Sequence, residues 1–548
     1  MQLNRAEPGT TETDLAIVGS GFAGSLLALI ARRLGYSVAL IERGVHPRIV
    51  IGESTTPLTN LLLEELCDRY DLPEIRTFSK WETWQRHHPA VACGLKRGFS
   101  FFHHALDGSA RALIADRESQ LLVAASPHDG IADTHWFRAD FDQFLLQTAV
   151  HAGARYFDRV DLHEFVEDES GATLRGIRVL PQLERARESL AFRARFVIDA
   201  TGPRGFLHKA LHLDELPLPG MPPTQALYTH FSGVGRLEEQ LPSGENPPYP
   251  IDDAAVHHIF PGGWIWVLQF NNGVTSAGAA CTDVRARELG FGFAGDVDIR
   301  QAQFSRAWQS LLRHTPALEK QFANARAIRP FTRIPRVSFR TAQFAGRNWT
   351  LLPSAAGFVD PLLSTGFPLT LLGVERIASI LKNGLDAPDR ASRLADYSAY
   401  TDAELLAAAR LVAALYASMD NFPVFVSLTM LYFAAVSYAE SAKRLGKPEL
   451  APGFLLHEHP DFAPEAIRLM DRATHVHTPE ETRQFAEDVR RAIEPINVAG
   501  HADPRRRNWY PIDASDLVSS SHKLNATPEA IEALLDRCGV YPQTTVSD

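Results

Sequence analysis

Cysteine is scarce in this chain of 548 residues: Cys67, Cys93, Cys281 and Cys538 stand far apart, and no two form a CxxC pair. That excludes a disulfide framework and a thiolate zinc site, and it suits a reduced, cytoplasmic compartment. Positive charge is not in excess. The formal net charge is −10, whereas a nucleic-acid partner needs clustered cations to neutralise its phosphates. Arg505-Arg506-Arg507 is the one basic run, and it reads as a solvated or ion-paired face. Met1 to Asp14 is polar and has no apolar core, so no secretory signal is expected. Long hydrophobic runs are also few. Phe422 to Ala439 carries no charge and nears the length that spans a bilayer, roughly 18 residues. Pro423, Ser427, Thr429 and Ser437 interrupt it, so the expectation is a buried helix of a large enzyme. His457-Glu458-His459 and His475-Val476-His477 lack a third ligand at usable spacing, so no metal site is expected. Internal repeats and low-complexity segments are absent.

What is present is an ordinary globular composition, 45% hydrophobic and 22% charged, long enough for two or three domains. The chain opens on an apolar run, Leu15 to Val18, followed by Gly19-Ser20-Gly21-Phe22-Ala23-Gly24 and a helical pattern from Leu26 to Leu34. A buried strand, a glycine turn and a helix make the first half of a βαβ unit, with the helix N-terminus free to hold phosphates. The second strand, Ser37 to Ile41, ends in Glu42, where a ribose hydroxyl would find an acceptor. The stretch Gly290 to Gly295 is also a literal GxGxxG. No apolar strand precedes it, and it reads as a loop.

Further along, Gly52-Glu53-Ser54-Thr55-Thr56-Pro57 precedes a helical pattern from Leu58 to Tyr70, with Ser54 or Thr55 as the expected N-cap. Within Cys93 to His104, Leu95, Arg97 and Phe99 alternate with Lys96, Gly98 and Ser100, which predicts a strand with Lys96 and Arg97 on opposite faces, one of them inward. On spacing alone Lys96 reads as an ordinary exposed lysine. An inward lysine is unusual because burying its charge is costly. A helix is predicted over Phe141 to Ala152, and a strand ends in Asp199-Ala200-Thr201-Gly202. Residues 205–349 have the composition of a separate antiparallel sheet domain, with Trp264 and Trp266 on one face. Asn348 to Leu352 returns to a buried strand, and Ser364-Thr365-Gly366 precedes a helix from Thr370 to Asn383, a second candidate anion nest. Beyond residue 387 the pattern is helical. His103, His104, His257 and His258 are candidate bases near neutral pH, with a structural role the simpler reading of each.

Taken in order, Gly19–Gly24, Gly52–Pro57, Lys96, Trp264-Ile265-Trp266 and Asp360-Pro361-Leu362-Leu363-Ser364-Thr365-Gly366 resemble a flavin-dependent halogenase of the tryptophan-halogenase superfamily, over about residues 13 to 440. The resemblance implies an α/β chain with the flavoprotein monooxygenase fold. Its Rossmann-like FAD domain would take residues 1–204 and 350–386, the inserted sheet domain 205–349 and a helical lid 387–548. FAD would be held by Gly19, Gly21, Phe22, Ala23, Gly24, Glu42, Arg43, the loop Gly52, Glu53, Ser54, Thr55 and Thr56, and by Arg138, Ala200, Thr201, Gly202, Asp360, Gly366 and Phe367. A separate flavin reductase would supply it reduced. Chloride or bromide would sit at Thr365 and Gly366, and Lys96 and Ser364 would serve catalysis, with Lys96 aiming hypohalous acid at an electron-rich ring.

Three positions depart from the family pattern. Leu268 and Gln269 replace the Ile-Pro that follows the two tryptophans, and Pro353-Ser354 stands for a Gly-Asp near the ribityl chain. Leu363 occupies the place of a glutamate found in tryptophan-specific members, so a phenol, a pyrrole or a carrier-bound aromatic is expected as substrate. The Gln269 substitution keeps open a flavin monooxygenase or dehydrogenase that uses no halide. A flavoprotein whose C-terminal helices only bind a partner is a third reading.

Overall fold

The computed structural model describes residues 9–106, 116–180, 186–242, 244–291 and 297–541. Its first sheet is built on Thr10–Val18, whose last four residues are buried on both faces, as parallel strands between two layers must be. Val38–Ile41 and Ala186–Asp199 flank it in parallel. Arg155–Phe157 and Trp349–Leu351 extend the parallel part, and Gly171–Leu180 and Val160–Asp168 add an antiparallel hairpin. Every second strand residue, among them Leu15, Ile17, Leu40 and Ile198, enters one apolar core with the helices Phe22–Arg33, Arg138–His151 and Gly366–Asn383. All three of these helices begin about a turn ahead of their sequence pattern. The helix expected after the Gly52 loop is Pro57–Arg69, and its cap is Thr56 rather than Ser54 or Thr55. Proline is suited to the first helical position, so Pro57 fixes the start, and Thr56 and Thr59 satisfy each other's backbone N–H groups.

The second sheet corrects the expectation of a self-contained antiparallel insert. Thr224–Ser232, Val274–Thr282, Gly263–Gln269 and Ala255–Phe260 are antiparallel neighbours. Ala255–Phe260 then pairs in parallel with Gly98–His103, which is followed by Gln120–Ala124 and Trp509–Tyr510. The sheet thus draws strands from before residue 205 and from after residue 387. Its entry point is Arg97. The alternation from Cys93 to His104 belongs to two strands, Cys93–Lys96 paired with Asp133–Trp136 and Gly98–His103 in the second sheet. Arg97 is buried like Lys96 and lies between them, its N–H donating to the Asp253 carbonyl at 2.6 Å. Glycine is needed next, because a Cβ at Gly98 would lie 2.3 Å from the Val123 carbonyl oxygen.

Among the described residues beyond 387, helices and their connecting loops make up the chain apart from the strand Trp509–Tyr510. Phe422–Arg444 is long and apolar enough to cross a membrane, yet 78% of that stretch is buried within the protein, where it packs on Arg390–Ala417 and Pro479–Ile493. The second GxGxxG lies largely among residues 292–296, outside the described residues.

Candidate active site

The glycine turn divides its glycines between packing and an open face. A Cβ at Gly19 (φ +100°) would come 2.6 Å from the Ala200 carbonyl oxygen, and one at Gly24 would come 2.0 Å from that of Gly19. These two let the turn, its helix and the Ala200-Thr201-Gly202 turn close on one another. Asp199 fixes the latter turn by accepting from the N–H groups of Thr201 and Leu207, at 2.9 and 2.6 Å. Gly21 is different. Its missing Cβ faces the guanidinium groups of Arg48 and Arg138, each 3.5 Å away, and it heads Phe22–Arg33 without a side-chain cap. Gly52 (φ +86°) lies 3.6 Å from Arg138 by the same measure. An uncapped helix start, two glycines and two guanidiniums form a cradle suited to a diphosphate, and so to the FAD expected from sequence.

Arg138 is fixed by two bonds to the fully buried Asp142, at 2.6 and 2.8 Å. Its guanidinium lies 5.0 Å from the Phe22 ring and 5.9 Å from that of Phe367. Phe22 meets Phe367 edge to face at 4.9 Å, which sets the head of Gly366–Asn383 against the glycine turn; Ala23 is buried beside Phe22. Glu42 accepts from the Ser20 N–H at 3.0 Å and the Gly44 N–H at 2.8 Å. Burial pushes its carboxyl up, but Arg48 and these two N–H groups outweigh that and hold it below the usual range. Arg43 is exposed; the cation beside the cradle is Arg48, which the sequence reading missed.

The loop from Gly52 leads away from the cradle to Lys96. Glu53 is buried with its carboxylate 2.8 Å from His230 Nε2 on the second sheet, which ties the loop to that sheet instead of leaving the carboxylate for the cofactor. Lys96 is fully buried. Its Nζ donates to Ser54 Oγ at 3.0 Å and to the Thr55 carbonyl, and it sits 3.8 Å above the Phe99 ring. Burial pushes the ammonium well below the usual lysine range, and Asp133, its partner across the strand pair, offsets only part of that. The four histidines are structural. His104 and His258 lie 2.9 Å apart inside the second sheet, His103 lies against the Met419 carbonyl and His257 stacks on Phe101. Burial lowers the pKa of each, to about 3 for His104 and His257.

The second nest is held through Asp360 by Trp264 and Tyr416. Asp360 Oδ1 accepts from the Leu362 N–H at 3.0 Å and from Trp264 Nε1 at 3.2 Å, and its Oδ2 from the Tyr416 hydroxyl at 2.9 Å. Leu363 and Ser364 then take φ of 65° and 56°, a left-handed conformation that costs a non-glycine residue about 1–3 kcal/mol. Tyr432 O–H donates to the Leu363 carbonyl at 2.9 Å. Thr365 is buried, and Gly366–Asn383 begins without a side-chain cap. Lys96 and this nest are linked by two rings, Phe99 and Tyr432, 6.4 Å apart. Gln269 turns to the loop beside the sheet, donating to the Gly235 carbonyl at 3.1 Å. Pro353-Ser354 opens a short helix, Pro353–Ala356, and its proline packs where Gly373 leaves room.

A cavity of about 210 Å³ is lined by Phe99 and Asp133, the ring beneath Lys96 Nζ and its partner across the strand pair, while Lys96 itself does not line it. Thr56, Asn60, Phe99 and Asp133 form one wall, and Tyr432 and the C-terminal region the other. Asn60, Asp133 and Tyr432 had no signal in the sequence alone, because only strand register and helix packing bring them together.

A profile of the family described as FAD dependent oxidoreductase matches residues 14–356. The chain is 30% identical over 367 residues to tetracycline 7-halogenase of Kitasatospora aureofaciens, covering 66% of this chain and 62% of that protein. It is 28% identical over 383 residues to monodechloroaminopyrrolnitrin halogenase PrnC of Pseudomonas fluorescens, covering 70% and 64%. It thus spans less than two thirds of the length of either relative. The crystal structure of halogenase PltM in complex with phloroglucinol and FAD has the same fold, with a TM-score of 0.78 at 23% identity over 90% of this chain and 99% of that one. The expected α/β architecture with a C-terminal helical region is borne out by this match.

Proposed function

The chain belongs to the FAD dependent oxidoreductase family, among its flavin-dependent halogenases, and from this premise we propose that it halogenates an electron-rich aromatic compound with halide and O₂. Bound FAD, delivered reduced by a separate flavin reductase, supplies the electrons that activate O₂ and so converts halide to hypohalous acid. Gly21, Gly52, Arg48, Arg138 and the start of Phe22–Arg33 hold its diphosphate, and Glu42 takes the ribose. Ser364, in the left-handed turn, directs the backbone N–H groups of Thr365 and Gly366 toward chloride or bromide. Lys96 receives the hypohalous acid and aims it into the cavity.

The observation that carries this reading is Lys96: a fully buried lysine bonded to Ser54 and Thr55, whose neighbours Phe99 and Asp133 line a cavity. Burial favours its neutral form, and a neutral amine both bonds hypohalous acid and can take up its halogen. Leu363 in place of a carboxylate speaks against free tryptophan. The cavity suits a small phenol or pyrrole, free or on a carrier protein, and the place of work is the cytoplasm. The halide-free alternative rested on Gln269, whose bond to Gly235 gives it no part in the site. The test is incubation with FAD, a flavin reductase, NADH, bromide and a panel of phenols and pyrroles. Brominated product should form and should vanish in Lys96→Ala at unchanged FAD content. Product retained by that variant removes Lys96 from the mechanism, and halide-independent hydroxylation removes the halogenase.

A further inference from the structure

Resting on that reading, we propose that Asp133 receives the substrate: its free carboxylate oxygen accepts the O–H or N–H that activates the aromatic ring and takes this proton as the halogen is transferred. Asp133 is only 6% exposed and lines the cavity. Its Oδ1 is fixed by Asn60 Nδ2 at 2.6 Å, while its Oδ2 is buried without a hydrogen-bond partner. A buried acceptor left without a donor is costly, and a bound donor would remove that cost. Lys96 does not use it, since its Nζ bonds Ser54 and Thr55. The strand register nevertheless sets Lys96 and Asp133 directly opposite one another. The halogen source and the free acceptor therefore stand on neighbouring residues of one two-stranded sheet.

The rest of the cavity fits an aromatic ring. Phe99 and Tyr432 supply flat apolar walls next to Asp133. The volume of about 210 Å³ exceeds the roughly 150 Å³ that holds benzene in an apolar protein cavity. Glu440 and Arg444, on the helix Phe422–Arg444, border the same space. Burial, opposed by Lys96 and the Asn60 bond, raises the Asp133 carboxyl above the usual range, which makes it a better proton acceptor than a solvated aspartate.

With a phenol in place the step balances. The phenolic proton passes to Asp133 Oδ2 while the ring carbon forms its bond to halogen, and the electron pair of the halogen–oxygen bond leaves with hydroxide. Hydroxide then takes the proton from the substituted ring carbon, giving water, and Asp133 returns its proton to the phenolic oxygen. The sum is phenol and hypohalous acid to halophenol and water. Asp133 accepts and does not donate when ionised, so a ring carrying O–H or N–H is taken and its methylated analogue refused.

The experiment has two arms. In the first, a phenol and its methyl ether are titrated into the FAD-loaded wild-type protein without halide. At least about 10-fold tighter binding of the phenol is expected, given how strongly a buried unpaired acceptor rejects an analogue without the donor, and equal affinities overturn the proposal. In the second, Asp133→Asn is compared with wild type at matched FAD content, with hypohalous acid escaping to solution captured by a β-diketone. Asparagine keeps one oxygen for Asn60 and turns a donor toward the cavity. Phenol halogenation should fall about 10²-fold, and the wild-type preference for the phenol over its methyl ether should be lost. A parallel loss on both substrates would show that Asp133 acts only through Lys96, and an undiminished phenol rate that it does nothing; either overturns the proposal. A wild-type protein that halogenates neither the phenol nor the β-diketone with FAD, reductase, NADH and bromide defeats the halogenase reading, and the binding arm then still decides on Asp133.

Discussion

Replacing Trp264 by phenylalanine removes one N–H from the loop that precedes Gly366. That N–H lies 3.2 Å from both Asp360 Oδ1 and the Tyr416 hydroxyl, in a side chain only 1% exposed. A hydrogen bond to a charged acceptor contributes about 1.5–3 kcal/mol, and the two ring carbons lost remove about 1–1.5 kcal/mol more of burial. The sum is about 3–4 kcal/mol. It falls on a carboxylate that also holds the Leu362 N–H at 3.0 Å, immediately before two left-handed residues that each cost about 1–3 kcal/mol. The loss matches the strain it restrains, so the loop should loosen locally while the fold persists. Hydrogen exchange read by mass spectrometry should show peptides over residues 358–367 exchanging roughly 10²-fold faster, at about 1.4 kcal/mol per tenfold. Peptides of the strand Thr10–Val18 should be unchanged. Trp266→Phe is the control, because the Trp266 N–H reaches Ser276 Oγ, at 3.3 Å, and not Asp360. Equal protection of residues 358–367 in Trp264→Phe and wild type, both loaded with FAD, would refute the claim that the tryptophan holds this loop.

Two further outcomes follow from the same geometry. Burial raises the Asp360 carboxyl from its ordinary 3.8 to about 6, so between those pH values the folded chain binds a proton that the unfolded chain has released, and stability falls as pH rises through that window. Asp360→Asn removes the titration, and wild type should lose about 2 kcal/mol relative to it between pH 4 and pH 7; parallel urea midpoints across that range would show that Asp360 does not titrate there. Gly21→Ala and Gly24→Ala should separate cofactor from fold. The first has 3.5 Å of room and fills only the cradle, so it should fold and purify without FAD, whereas the second meets the Gly19 carbonyl at 2.0 Å and should not accumulate as folded protein. Full flavin content in purified Gly21→Ala would contradict the cradle.

Elements whose signal is local were legible in the sequence. The glycine turn, the strand ending in Glu42 and the helix before Asn383 are each specified by consecutive residues. Lys96 was legible as a site residue only through the family resemblance, since its spacing alone reads as an exposed lysine. The break at Arg97 was not legible, because only the Gly98 contact with Val123 shows where the chain changes sheets. Glu53 was assigned to the cofactor through the family resemblance, together with its neighbours Gly52, Ser54 and Thr55. Its partner His230 is 177 residues away, a pairing no local pattern encodes. Asp133 failed for the same reason. One acid in a short strand is ordinary until the register sets it opposite Lys96.

The cavity has a divided origin, with Thr56, Asn60, Phe99 and Asp133 on one side and Tyr432 and later residues on the other. The match to the oxidoreductase family ends at residue 356, so the outer wall is built from chain that the shared cofactor machinery does not constrain. Selection can therefore reshape the guest-facing half by exchange, insertion or lengthening after that point while Lys96 and the phosphate cradle stay fixed. The same division gives the protein engineer a seam: chimeras joined in the helix Arg390–Ala417 would carry one oxidant generator to many differently shaped chambers.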